Sequence, residues 1–200
     1  MKRNLDDALL HRRSYYALSA ESLVSDAQIE SCLRFAIKHV PSAYNSQSTR
    51  LVLLLREHHT ALWQMVERAL QARVPVEDFP RTKAKIETAF ASGYGTILFY
   101  EDMAVVRELQ QRWPLYASNF PTWAEHTSAM HQLVVWTKLE DMGFGASLQH
   151  YNPLIDKEVQ EQWSLSDSWR LIAQMPFGLP AGEPGEKTFQ PVDSRIRIFK

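Results

Sequence analysis

The sequence has almost no cysteine and no excess of charge. Its 200 residues include one cysteine, Cys32, which excludes an internal disulfide and a cysteine-rich zinc site. Such a composition is typical of a reducing compartment, so we expect a cytoplasmic protein. Because 22 Lys and Arg face 23 Asp and Glu, the net charge of −1 offers no broad charged surface. Nucleic acid and anionic membranes are therefore disfavoured as partners.

Long apolar runs are also missing. The longest fully aliphatic run, Leu51 to Leu55, is far below the roughly 20 residues of a membrane-spanning helix. The N-terminus is a charged amphipathic stretch, so we expect neither a targeting segment nor a membrane anchor. With 45% hydrophobic residues, the whole chain, 1–200, is predicted to form one domain with a full core.

The seven glycines do not form a dinucleotide-binding fingerprint. Gly93-x-Gly95 and Gly143-x-Gly145 both lack the third glycine, and neither follows an evident strand. Strands separated by several helices, with two helices before the first strand, do not fit regular βαβ alternation. We therefore predict an α+β fold in which helices wrap a central mixed or antiparallel sheet, and we exclude a Rossmann fold.

Capping signals and hydrophobic periodicity predict where the elements begin and end. Asn4 caps a first helix that carries His11, Arg12 and Arg13 at its C-terminal end, and Ser25 with Gln28 forms a capping box for a second helix that ends before Pro41. A second box, Thr122 with Glu125, is predicted to open a long central helix that ends at Gly143. The remaining elements are predicted strands at Arg50–Arg56, Gly95–Tyr100, Leu171–Met175 and Arg195–Phe199, predicted helices at Thr60–Arg73, Lys83–Phe90, from Glu101-Asp102 onward and Asp156–Trp163, and a loop at Pro176–Gly185.

Aromatic residues are plentiful. A content of 11%, with six tryptophans, exceeds what one small core requires, so we predict a homodimer whose interface buries the surplus. Phe120, Trp113 and Trp123 flank a loop between Pro114 and Pro121, where they either roof a substrate pocket or serve ordinary packing or a dimer seam.

Two polar motifs could hold a phosphorylated heterocycle. In the first, at residues 11–16, Arg12 and Arg13 are followed by Ser14, a set of donors suited to a phosphate. In the second, at residues 41–48, the amides of Asn45 and Gln47 match the alternating donors and acceptors of a flavin pyrimidine ring. The plainer alternatives are solvated arginines at a helix end and an ordinary Asx-turn loop.

A third motif spans residues 143–152. Glycine-rich at its start, it continues as Gln149-His150-Tyr151-Asn152, and its plainer interpretation is a helix C-cap followed by a short strand. The remaining candidates are weaker: His126 and His131 do not align on one helical face, so no metal site follows, and Cys32 is interpreted as a small buried thiol.

In this order and spacing the three motifs resemble those of the FMN-dependent nitroreductase family. The similarity extends over nearly the whole chain. Within the family, the fatty-acid-repression-mutant-like branch is the most similar, on the stretches 92–96, 146–153 and 174–178. The resemblance implies a dimeric nitroreductase-like fold with one long central helix.

The resemblance also implies a function and a set of contacts. The function is transfer of hydride from NADH or NADPH through N5 of bound FMN, in ping-pong fashion, to nitroaromatics, quinones or similar planar acceptors, with no protein acid or base required unless His150 lies near the acceptor. The implied flavin contacts are Arg12, Arg13 and Ser14 for phosphate and ribityl, Tyr16 near N1, Ser42, Asn45 and Gln47 at the ring edge, Gln149, His150 and Tyr151 near N5, and Lys187 and Arg195 as late phosphate contacts.

Two departures from the family pattern qualify this assignment. Tyr16 stands where many relatives have a lysine, and Lys187 is followed by Thr188 and Phe189, so a late Lys-x-Arg pair is missing. Two other functions are compatible with the residues: a flavin-binding regulatory protein in lipid or stress signalling with little turnover, and a flavin-free helical interaction protein.

Overall fold

The computed structural model describes residues 4–200. Within that range seven helices pack around one central five-stranded sheet. The helices are α1 (Leu5–His11), α2 (Asp26–His39), α3 (Arg56–Gln71), α4 (Phe79–Ile86), α5 (Met103–Arg112), α6 (Phe120–Asp141) and α7 (Asp156–Gln162), and the strands are β1 (Leu18–Ser19), β2 (Thr49–Leu55), β3 (Gly95–Asp102), β4 (Gly145–Ala146) and β5 (Trp169–Pro180). None of the helices described is long and apolar enough to cross a membrane.

The sheet is antiparallel, in the order β1-β5-β3-β2, with β4 paired to β5. Strand β2 pairs with β3 from Thr49↔Glu101 to Leu55↔Gly95, and β3 pairs with β5 up to Asp102↔Trp169. The one parallel contact in the described residues is an isolated bridge between Ser14 and Ala146. These pairings confirm the α+β prediction and decide it in favour of an antiparallel sheet.

Helices cover both faces of this sheet. All eight residues of β3 are buried, because alternate side chains enter two separate cores. Ile97 and Phe99 pack with α2 and α6, whereas Leu98 and Tyr100 pack with α3 and α7. The apolar run seen in the sequence therefore belongs to a central strand.

The capping patterns predicted for the first two helices, α1 and α2, are confirmed. The side chain of Asn4 accepts a hydrogen bond from the backbone N of Asp7 at 2.9 Å. At the second helix, Oε1 of Gln28 accepts from the backbone N of Ser25 at 2.9 Å, and the helix ends at His39, before Pro41. Arg12 and Arg13 lie beyond the end of α1 instead of within its last turn.

The predicted start of the long helix is wrong. Helix α6 begins at Phe120, with Pro121 in its first turn, so Thr122 and Glu125 lie inside the helix. A proline in the first turn fits because it lacks an N–H that would remain unpaired there. The Glu125 side chain instead forms an ion pair with Arg170 of β5.

The helix predicted from Glu101-Asp102 onward does form, but it begins at Met103 with Asp102 as its N-cap. Glu101 and Asp102 end β3, and only the Asp102 side chain caps α5, accepting from the backbone N of Ala104 at 3.0 Å. Two other helices begin earlier than predicted, α3 at Arg56 and α4 at Phe79, and a π-helical turn at Glu87–Ala91 extends α4.

The C-terminal predictions need two corrections. Strand β5 continues to Pro180, so the first five residues of the predicted Pro176–Gly185 loop are strand. The predicted Arg195–Phe199 strand does not form; the segment follows a short 3-10 turn at Val192–Ser194, with Ile198 and Phe199 74% and 94% exposed. A strand pattern becomes a strand only beside another strand, and none of the described strands lies beside this segment.

Candidate active site

The first motif joins the start of the third motif. Ser14 forms a bridge with Ala146, and the backbone N of Tyr15 donates to the carbonyl of Ala146 at 3.0 Å. A Cβ added to Gly145 would come within 2.8 Å of the Tyr15 side chain, so glycine is needed for this close approach. The backbone thereby fixes Arg12 and Arg13 relative to the sheet.

A cationic cleft lies beside this junction. Its volume is about 390 Å³, and it is lined by Arg12, Arg13, Ser14 and Tyr16 and by residues 185–188, which include Lys187. Three cations thus face one carboxylate, that of Glu186. The Arg12 guanidinium lies 4.5 Å above the Trp136 ring of α6, and Arg13 donates to the carbonyl of Gly185. The cleft has the donors that an anionic group such as a phosphate requires.

Of the predicted flavin contacts Tyr16 and Arg195, only Tyr16 lines this cleft. Tyr16, which replaces the lysine of many relatives, lines the cleft, and its ring lies 6.4 Å from that of Phe90 in an edge arrangement. Arg195 is not among the lining residues and lies on the exposed C-terminal segment. Within this chain, Lys187 joins the arginines and Arg195 does not.

The second motif is a strained loop. Tyr44, Asn45 and Gln47 all have positive φ, at 55°, 49° and 50°, a region that residues other than glycine rarely adopt. The backbone N of Gln47 donates to Oγ of Ser42 at 3.0 Å and closes the loop. Asn45 and Gln47 are exposed, and within residues 4–200 their side-chain amides form no hydrogen bond. Both amides are available to a ligand.

Ser42 and Gln47 line a second cavity. It measures about 460 Å³ and lies between α2 and β2, with His131 of α6 in its wall. Arg34 and Arg50 also line it, together with apolar residues of α2 and β2. This cavity shares no lining residue with the cationic cleft.

The residues of the third motif lie in three different environments. The backbones of Gln149 and Gln174 exchange two hydrogen bonds, at 2.7 and 2.9 Å. His150 is exposed and lines a third cavity, of about 370 Å³, beside Arg170. The Tyr151 ring packs 6.2 Å from Phe90, and burial raises the pKa of its hydroxyl. Tyr16 and Tyr151 therefore contact the same phenylalanine.

The sheet register separates the first two motifs. The first motif lies beside Phe177–Pro180, near the C-terminal end of β5. The second motif precedes Thr49 of β2, which pairs with Glu101 of β3, and Glu101 pairs in turn with Arg170, near the N-terminal end of β5. From Arg170 to Gly178 the strand extends about 26 Å, at roughly 3.3 Å per residue. The first and second motifs of one chain therefore lie beside opposite ends of β5.

A buried polar cluster beneath the second motif was missed by sequence reasoning. Ser48 Oγ donates to Oε2 of Glu101, and Thr49 Oγ1 donates to its Oε1, each at 2.5 Å. Nδ1 of His131 lies 3.2 Å from Thr49 Oγ1 and 2.9 Å from the carbonyl of Thr127. The available signal was the pair of carboxylates, Glu101 and Asp102, at the end of an apolar run.

Burial perturbs the titratable members of this cluster in opposite directions. The pKa of Glu101 is raised by desolvation, although the Ser48 and Thr49 hydroxyls act against the shift. The pKa of His131 is lowered by desolvation. His131 is therefore neutral near pH 7, and its Nδ1–H donates to the Thr127 carbonyl. Among residues 4–200, no group of three or more His, Cys, Asp or Glu side chains is placed to hold a metal ion.

Aromatic residues pack on the same loop. The Tyr44 ring is stacked on Trp123 at 5.9 Å and lies 5.3 Å from Phe120 and 5.5 Å from Trp113. Phe120 is buried, whereas Trp113 is 41% exposed. These residues therefore support the second motif in addition to any contact with a substrate.

Comparison with known proteins gives a consistent result. Residues 9–179 match the model of the nitroreductase family. The chain is 36% identical to the putative nitroreductase HBN1 of Saccharomyces cerevisiae over 193 residues, 96% of this chain and 94% of that protein, and 31% identical to the nitroreductase FRM2 of the same yeast, over 98% of this chain and 97% of that protein. Nitroreductase CinD of Lactococcus lactis, solved in complexes with nicotinic acid, chloramphenicol and 4-nitrophenol, is 39% identical; in the nicotinic acid complex the TM-score is 0.91, over 98% of this chain and 100% of that one.

Proposed function

The chain belongs to the nitroreductase family, and from this premise we propose that it is an FMN-dependent oxidoreductase that uses NADH or NADPH to reduce planar acceptors such as nitroaromatics and quinones. The observation that carries the proposal is the cationic cleft, where Arg12, Arg13 and Lys187 converge beside the Ser14–Ala146 bridge. Its chemistry fits the phosphate of FMN, because guanidinium groups form bidentate, charge-assisted hydrogen bonds to phosphate oxygens.

The second motif fits the other end of the cofactor. Asn45 and Gln47 offer both donors and acceptors, as the pyrimidine edge of a flavin requires. Their strained, exposed loop is typical of functional sites, where unusual backbone conformations are held in place by their surroundings. Tyr16 offers a phenol donor at the cleft, without the positive charge of a lysine.

A second copy of the chain would unite the two halves. Because one chain holds the cationic cleft and the loop of the second motif, residues 41–48 (the amide loop), about 26 Å apart along the sheet, we propose a homodimer in which each flavin lies between the cleft of one protomer and the amide loop of its partner. Exposed apolar residues support this arrangement: Leu10 of α1 is 76% exposed and Leu133 of α6 is 47% exposed. Strand β2 is the open edge of the sheet, and the unpaired Arg195–Phe199 pattern suits such an edge.

Bound FMN would supply the redox chemistry, which is hydride transfer from the nicotinamide and reduction of the acceptor. The tasks of this chain are then to hold the phosphate through Arg12, Arg13 and Lys187 and to orient the ring through Asn45 and Gln47. The proposed acceptor class is supported by CinD, which has been solved with two nitroaromatic compounds, chloramphenicol and 4-nitrophenol.

Steady-state kinetics test this proposal. The purified protein, loaded with FMN, is assayed with NADH or NADPH against 4-nitrophenol and a benzoquinone, varying both substrates. We expect turnover and parallel double-reciprocal lines, because the oxidised nicotinamide leaves the reduced enzyme before the acceptor binds. Retained flavin without turnover for any acceptor would favour the flavin-binding regulatory function instead.

A further inference from the structure

The amide loop is held in a conformation that it would not adopt alone. Three residues in four, Tyr44, Asn45 and Gln47, occupy the left-handed region, and such residues persist there only when the surrounding structure imposes the conformation. The conformation aims the Asn45 and Gln47 amides outward. Some part of the fold must therefore restrain the loop from below.

Glu101 contacts the residues at which the loop ends. Its two carboxylate oxygens accept one hydrogen bond each from consecutive residues, Ser48 and Thr49. All three side chains are almost fully buried, with 0%, 1% and 4% exposure. A rigid carboxylate that binds two neighbouring hydroxyls determines the direction in which the chain enters β2.

Packing alone does not explain a glutamate here. It follows the apolar run Ile97–Phe99 of β3, and a buried carboxylate costs more than an apolar residue of similar size unless its hydrogen bonds offset the desolvation. No Lys or Arg forms an ion pair with Glu101 within residues 4–200; Arg170, whose charge lowers the pKa of Glu101 slightly against the effect of burial, is paired with Glu125. The desolvation of the Glu101 carboxylate lowers the stability of the fold, and a role in positioning a functional loop would explain why a glutamate is nevertheless present.

We propose that Glu101 is a positioning residue that, through Ser48 and Thr49, holds the amide loop in the conformation that presents Asn45 and Gln47 to the flavin ring. This inference rests on the proposed function. Two other contacts complete the restraint: Arg50 Nη1 donates to the carbonyl of Gln47 at 2.7 Å, and Tyr44 stacks on Trp123. Glu101 is buried, whereas Arg50 and Trp123 are partly exposed and Tyr44 is exposed.

Three variants separate positioning from general stability. Glu101→Leu removes both hydrogen bonds, whereas Glu101→Gln keeps a side chain that can bond both hydroxyls. The matched control is Thr96→Val on the same strand, since Thr96 is equally buried and accepts from Trp63 and contacts His59, both at 2.9 Å, on the opposite face. All are compared with the wild type at a temperature where each is folded.

Two measurements are made on each protein: the Kd for FMN by fluorescence quenching, and hydrogen exchange of peptides covering residues 42–48. We expect Glu101→Leu to raise the Kd about tenfold or more, the effect of losing one good hydrogen bond at the ring, and to speed exchange at Gln47. Glu101→Gln should restore both values to within about threefold of the wild type, and Thr96→Val should lower the melting temperature without changing either.

Three results would overturn the proposal: wild-type affinity and exchange in Glu101→Leu, no rescue by Glu101→Gln, or equal weakening by Thr96→Val. If the wild type itself binds no FMN, the proposed function fails, and the exchange data alone then decide whether Glu101 holds the loop. Should Glu101→Leu not fold, Ser48→Ala and Thr49→Val each remove one of the two hydroxyls, and each should reproduce part of both effects; wild-type behaviour in both would refute the role of Glu101.

Discussion

Replacing Arg12 by alanine tests the phosphate assignment quantitatively. The Arg12 guanidinium is fixed over Trp136 at 4.5 Å and lines the cationic cleft. A charge-assisted hydrogen bond to a phosphate contributes about 1.5–3 kcal/mol, so its loss should weaken FMN binding by roughly 10- to 150-fold. The contact with Trp136 contributes about 0.5–1 kcal/mol to folding, which lowers thermal stability but does not depend on the ligand.

The assay compares FMN with riboflavin, which lacks the phosphate. Fluorescence titration of the apo protein gives the Kd of each ligand for the wild type and for Arg12→Ala, which completes a cycle between the guanidinium and the phosphate. We expect the loss of affinity for FMN alone. The control is Arg112→Ala, because Arg112 also lies over a tryptophan, 5.9 Å from the Trp113 ring, but outside the cleft.

The reasoning would be refuted if Arg12→Ala bound FMN as tightly as the wild type, or if riboflavin lost as much affinity as FMN. In the first case Arg12 does not contact the phosphate. In the second, the substitution acts through the shape of the cleft and not through charge.

Three further predictions concern other parts of the fold. Burial raises the pKa of the Cys32 thiol to about 11, so a thiol reagent at pH 8 should label Cys32 only when the protein unfolds, and rapid stoichiometric labelling of the native protein would contradict its buried position. Burial lowers the pKa of His59 in the folded protein, so the unfolded state binds more protons as the pH falls. The contribution of His59 to the free energy of unfolding is therefore complete above about pH 6.5, and it declines as the pH falls towards the pKa of His59 in the folded state. Urea unfolding at pH 7.5 and 5.5 should show a smaller difference in His59→Asn than in the wild type, and an equal difference would exclude this linkage. Removing residues 195–200 should shift the protein from dimer to monomer in sedimentation experiments if the exposed tail pairs with β2 of a second copy, whereas an unchanged dimer would place the interface elsewhere.

Local signals in the sequence were sufficient where the structure depends on neighbours a few residues apart. The caps at Asn4 and at Ser25 with Gln28 involve contacts over three residues, and both form as predicted. The strands β2 and β3 were recognised because their apolar runs are buried on two faces. The capping box predicted at Thr122 was wrong, although its pattern is as good as the one at Ser25. Helix α6 begins two residues earlier, at Phe120, with Pro121 in its first turn.

Distant contacts account for what the sequence did not show. Glu101 and Ser48 are 53 residues apart, and no local pattern indicates that they share a hydrogen bond. The Arg195–Phe199 segment has a strand pattern but no neighbouring strand within residues 4–200. For the same reason the motifs were recognised individually, while their separation across the sheet follows only from the strand register.

The visible absorption spectrum of the purified protein, recorded anaerobically before and after addition of NADH or NADPH, tests the central claim most directly. We expect flavin bands in the protein as purified or after loading with FMN, and their bleaching when the reduced nicotinamide is added. The absence of flavin bands even after FMN is added would contradict the flavoprotein assignment, and bands that persist in the presence of both nicotinamides would contradict the proposed oxidoreductase activity.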